Sequence, residues 1–102
     1  MIKIGVIVQS WHYFADPFKL QPVWELYFAT LLEERFAHLG KGKVSVLDLR
    51  DARLPESGVD IERLDKQIEA HDLFFLWVQK IADYPEAVNI ARQLKEAYPA
   101  CK

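Results

Sequence analysis

Cysteine is nearly absent: Cys101 is the single one, so no disulfide can close within the chain and no all-thiolate metal site can form. Glycine is scarce too, with four in 102 residues. Gly5 stands alone after the first apolar residues, so neither a G-x-G-x-x-G fingerprint nor a Walker loop exists to cradle a pyrophosphate. Charge of one sign is missing, because 13 basic residues meet 15 acidic ones for a net −2. That balance argues against nucleic acid held by electrostatics alone. No apolar run approaches the length of a membrane span, and no basic leader precedes a long apolar stretch. The expectation is a cytoplasmic chain without membrane or nucleic-acid partners.

What is present is core material. The apolar fraction is 51%, enough for one domain over residues 1–102. Ile2 to Val8 reads as a nearly continuous apolar strand, the signature of a central position. Gly5 within it predicts the close approach of a neighbour, taken to be a helix. Gln9 to Gln21 reads as a loop rich in aromatics: Trp11, His12, Tyr13, Phe14 and Phe18. Pro22 opens a helix that Gly40 closes. Its apolar residues Val23, Trp24, Leu26, Tyr27, Phe28, Leu31, Leu32 and Phe36 exceed the roughly 100° arc that one sheet face needs. A second covered surface is therefore expected. Val44 to Leu49 is a second, more peripheral strand, and a second helix is expected over about Asp60 to Ala70.

Asp72 to Gln79 encloses six consecutive apolar residues, the pattern of a strand buried on both faces. Asp83 and Glu86 have the spacing of a capping box for a last helix, with Pro85 in its first turn. Ala87, Ile90, Ala91, Leu94 and Ala97 form its inward face, and Pro99 ends it.

The order β-α-β-α-β-α predicts a three-layer α/β sandwich with a parallel sheet in the order 2-1-3, half of a flavodoxin-like domain. Ligands of such sheets sit at the carboxyl ends of the strands, where the first and third diverge. That places Gln9–Gln21 beside Gln79–Asp83. The third strand then lies at an edge, where a flat apolar strand invites pairing. Either another strand or a second copy of the chain is expected beside it, most simply in a two-fold homo-oligomer with two third strands antiparallel. Trp11, Phe14 and Trp77 read equally as walls for a flat cofactor and as core. His12 is the one histidine at the ligand edge. No histidine pair has metal-ligand spacing, and no catalytic residue or metal site is assigned.

Three segments together resemble the N-terminal cobalamin-binding domain of cobalamin-dependent radical S-adenosylmethionine (SAM) enzymes. They are Pro22 through Glu34, Val44 through Arg50 (ending Asp-Leu-Arg), and Asp72 through Pro99 with its Tyr-Pro-x-Ala and Ile-Ala-Arg-Gln-Leu-Lys-Glu runs. The resemblance implies such a domain truncated after its third βα unit, a cobalamin cofactor, and a radical SAM domain downstream as partner. Its site residues would be Ser10, Trp11, His12, Tyr13, Gln79 and Lys80. Of the Asp-x-His-x-x-Gly signature of some cobalamin modules, only His12 is kept. The C-x-x-x-C-x-x-C cluster motif is absent, so these residues alone perform no radical SAM chemistry. Binding by the half domain is expected to be weak or nil. The alternatives are a flavodoxin-like flavin- or nucleotide-binding protein and a ligand-free interaction module.

Overall fold

The computed structural model describes residues 2–11, 21–40, 42–52, 71–78 and 80–102. The expected second helix and most of the Gln9–Gln21 loop lie outside the described residues. Strand β1 (Ile2–Val8) leads to helix α1 (Val23–Leu39), strand β2 (Gly42–Asp48) and a 3₁₀ turn at Leu49–Ala52. Strand β3 (Leu73–Leu76), a second 3₁₀ turn (Ile81–Asp83) and helix α2 (Tyr84–Ala97) follow. The sheet runs β2-β1-β3, and both pairings are parallel, as the sequence predicts. Ile4 stands opposite Val44 on one side and Leu73 on the other.

β1 is central because it is apolar on both faces, and Ile4, Val6, Ile7 and Val8 are all buried. Alternation sends Ile7, Leu47, Leu49, Phe74 and Leu76 to one face, where they pack on Ile90 and Leu94 of α2. The other face carries Phe75, whose ring meets Phe28 of α1 edge-on at 5.0 Å. The helices therefore cover opposite faces and make three layers. Gly5 lies between strands rather than under a helix. A Cβ there would come within 3.0 Å of both Leu47 and Phe74, the side chains that close over it from the flanking strands. Gly40 ends α1 in the left-handed conformation, φ 63°, which a side chain would strain.

Three sequence expectations change in detail. β3 is a four-residue strand, not eight, and Trp77 and Val78 continue past it without pairing. Asp83 does not cap α2 with its side chain. The outward arc of α1 is not covered by any described element: Val23, Trp24, Leu26, Tyr27 and Leu31 are all exposed.

After α2 the chain turns sharply back to the sheet. Lys95 Nζ donates to the carbonyls of Pro99 and Cys101, the Cys101 N–H donates to the Tyr98 carbonyl, and Cys101 is buried. This turn delivers Lys102 to the outer side of β3. There its N–H donates to the Asp72 carbonyl (2.9 Å) and its carbonyl accepts from the Phe74 N–H (2.8 Å). One residue bonded to both neighbours of Leu73 is the pattern of a parallel partner.

Candidate functional site

The carboxyl ends of the three strands and the amino ends of both helices meet at one edge of the sheet. Gln9, Ser10 and Trp11 leave β1, Asp48 and Arg50 leave β2, and Trp77 leaves β3. Glu25 opens α1, and Lys80, Asp83 and Glu86 surround the start of α2. Gln9, Ser10, Glu25, Asp83 and Glu86 are buried polar residues, each at most 5% exposed. Polar groups are buried at this cost only when partners are supplied.

Most of the partners are visible. Glu86 accepts from the Ser10 backbone N–H through Oε1 and from the Ser10 hydroxyl through Oε2, both at 2.7 Å. The glutamate that reads as half of a capping box thus reaches across to β1. Its place on the stripe of Ile90 and Leu94, four and eight residues on, is the signal for this, since that stripe faces the sheet. Asp83 Oδ2 accepts from the Lys80 N–H at 3.1 Å, closing the 3₁₀ turn. Asp48 holds Arg50 through both carboxylate oxygens, with Arg50 Nε at 2.9 and 3.0 Å. The Arg50 guanidinium also lies over the Trp11 ring, 5.5 Å from its centroid. Trp11 itself sits at φ 50°, a left-handed conformation that costs a non-glycine residue roughly 1–2 kcal/mol.

Two groups stand apart. Burial raises the Glu25 carboxyl above its ordinary pKa of 4.5, and Asp83 and Asp48 push the same way. Its own backbone N–H and Arg50 pull against them. Gln9 donates from Nε2 to the Trp77 carbonyl at 2.9 Å, and its buried Oε1 meets no donor among the described residues.

Aromatic surface flanks this edge. Trp24 of α1 and Trp77 stack nearly parallel, 6.2 Å between centroids at 6°, and Phe28 closes on Trp77 at 6.5 Å. Trp24 is 51% and Trp77 38% exposed, so the pair is a wall with one open side.

Of the residues assigned from sequence, Ser10, Trp11 and Lys80 come together at this edge. His12, Tyr13 and Gln79 lie outside the described residues, as does Phe14. Ser10 is fully buried with its hydroxyl committed to Glu86. Sequence reasoning places Gln9 and Asp83 in the loops of this edge without assigning them as site residues, and it misses Glu25 and Glu86. Among the described residues no group of histidine, cysteine and carboxylate side chains could hold a metal ion. His71, buried against Phe74, begins the amino end of β3. No described helix is long and apolar enough to cross a membrane. Comparisons with protein-family models, with curated proteins and with solved structures return no match.

Proposed function

We propose that the chain is a binding module of the cobalamin-domain type, without catalysis of its own, that works beside a radical SAM domain. The observation that carries this reading is the parallel Trp24–Trp77 wall at the point where β1 and β3 diverge, the ligand position of parallel α/β sheets. An open indole face suits a broad, flat ring.

The charges at the edge choose among flat ligands. Glu25, Asp48, Asp83 and Glu86 gather there with Arg50 and Lys80, and Arg50 is already held by Asp48. The acids of this edge disfavour the clustered phosphates of a flavin or nicotinamide dinucleotide, and no glycine-rich turn offers backbone N–H groups in compensation. A corrin ring presents amides and apolar faces and brings a single phosphodiester, so it meets less repulsion. The described residues supply no cobalt ligand, and binding would rest on Trp24 and Trp77 for ring contact. Cobalamin, when bound, would supply the organometallic chemistry, and this chain its seat.

Equilibrium dialysis of the protein against hydroxocobalamin and, separately, flavin mononucleotide tests this. Weak retention of cobalamin by this half domain, lower still in Trp77→Ala, with flavin passing through, is the expected result. Flavin retained in preference would overturn it. A ligand-free interaction module is the second reading, favoured by the exposed flank of Val23, Trp24, Tyr27 and Leu31. Retention of neither ligand is its signature. In both readings the bare flank draws copies of the chain into a homo-oligomer.

A further inference from the structure

Gln9 fits the carboxyl edge poorly if stability is its only task. It leaves β1 directly after Val8 and is 2% exposed. Its Nε2 donates to the Trp77 carbonyl at 2.9 Å, while the buried Oε1 finds no donor among the described residues. Chemistry fixes this orientation of the amide, because the reverse would set its oxygen against the Trp77 carbonyl oxygen. A buried acceptor without a donor costs at least as much as one neutral hydrogen bond returns. Methionine, an apolar side chain of similar length, would fill the same place without that cost. Stability therefore does not account for a glutamine here.

What the Nε2 bond does is local. The ladder between β1 and β3 stops at Ile7 and Leu76. Trp77 is the next residue, beyond the last pair, and its indole is half of the wall, stacked on Trp24 at 6.2 Å and 6°. A tryptophan on an unpaired segment swings with its backbone, and Phe28, tilted at 48°, limits the ring on one side only. The Gln9 amide carries the hold of β1 on β3 one residue further, by a side chain. Gln9 is itself a firm base. Val8 before it is fully buried, and Ser10 after it is bound to Glu86 of α2 through both its N–H and its hydroxyl. The tie therefore runs from α2 through Ser10 and Gln9 to Trp77, and the indole stack continues it to α1.

We propose that Gln9 is a positioning residue of this edge: by holding the Trp77 carbonyl it sets the Trp77 indole parallel to Trp24, at some expense of stability. Its bearing on a ligand rests on the wall being the seat argued above; the alignment itself does not. A contact surface already in place costs a ligand less than one it must assemble.

The test uses the whole 102-residue chain with Gln9→Met, which keeps the length and removes both amide groups. The Trp77 carbonyl, on a partly exposed residue, then takes water in place of Nε2. Proton NMR reads the wall through the ring-current shift that Trp77 imposes on the Trp24 indole protons, defined as the shift that Trp77→Ala removes. Gln9→Met should remove half or more of that shift while its urea midpoint stays at or above the wild-type value. Gln9→Leu is read in the same way and guards against poor packing of the methionine. An unchanged shift overturns the proposal. A lowered urea midpoint in both variants also overturns it, and makes Gln9 a residue of the fold alone. Retention of hydroxocobalamin is measured separately on the same variants. A wall loosened with no change in retention supports the alignment and counts against the cobalamin reading, so the two fail independently.

Discussion

Removing the Glu86 carboxylate strands two donors at the centre of the molecule. Ser10 is fully buried, and its N–H and hydroxyl both end on Glu86 at 2.7 Å. Hydrogen bonds to a charged acceptor contribute about 1.5–3 kcal/mol, and each buried group left without a partner costs about 1–3 kcal/mol. Glu86→Ala should therefore cost roughly 3–5 kcal/mol, reduced if water enters the space left behind. For a domain stable by about 5–15 kcal/mol this is a large share. Ser10→Ala keeps the backbone N–H bond and loses only the hydroxyl, so about 1–2 kcal/mol is expected. With Glu86 already gone, Ser10→Ala removes an unsatisfied hydroxyl and should cost little or even stabilise. Urea unfolding of the two single variants and the double variant measures the coupling directly. A Glu86→Ala cost below about 1 kcal/mol, or strict additivity in the cycle, would refute the claim that this pair ties β1 to α2.

Glu25→Gln should stabilise the protein at pH 8 and lose that advantage at low pH. The Glu25 pKa is raised in the fold, so from its ordinary 4.5 up to the folded value the native state binds more protons than the unfolded chain. Wild-type stability falls across that window, and the full penalty stands above it; urea midpoints that differ equally at pH 4 and pH 8 would count against this. Gly5→Val should cost about 2–3 kcal/mol by overpacking and Gly5→Ala clearly less, because Leu47 and Phe74 stand 3.0 Å from a Cβ at that site. Thermal melts that rank the two equally would show that the flanking side chains simply move aside.

The sheet was readable because hydrophobic pattern and parallel order are tightly linked. A β1 apolar at nearly every position on both faces belongs at the centre, and β2, interrupted by Ser45 and Asp48, at the periphery. The site was less readable because its partners come from far along the chain. Glu86 lies three residues after Asp83 and looks like a local cap, yet its partner is Ser10, 76 residues away. Local rules assign a local partner wherever one fits. Gly5 was read correctly as a close approach but assigned to the wrong neighbour, because spacing alone cannot separate a helix above from side chains beside it. Glu25, in the first turn of α1, carries no sequence signal that sets it apart, and only the packing of α1 on the sheet buries it.

The distribution of polar partners bears on whether this edge binds or catalyses. Asp48 is taken by Arg50, Asp83 by the Lys80 N–H, and Glu86 by Ser10. Glu86 alone ties distant segments, β1 to α2, while Asp48 and Asp83 hold partners two and three residues away, so three acids that might suggest acid–base chemistry are spent on structure. Two polar groups remain without a comparable tie. Burial raises the Glu25 carboxyl above its ordinary pKa, and Gln9 Oε1 is a buried acceptor without a donor among the described residues. A buried acceptor beside an open indole wall suits a neutral ligand with amide N–H groups better than an anion. A catalytic pair would need two groups whose environments push their pKa values apart around one reacting atom. Glu86 is instead committed to Ser10 across the sheet, while Asp48 and Asp83 close the local turns at Arg50 and Lys80.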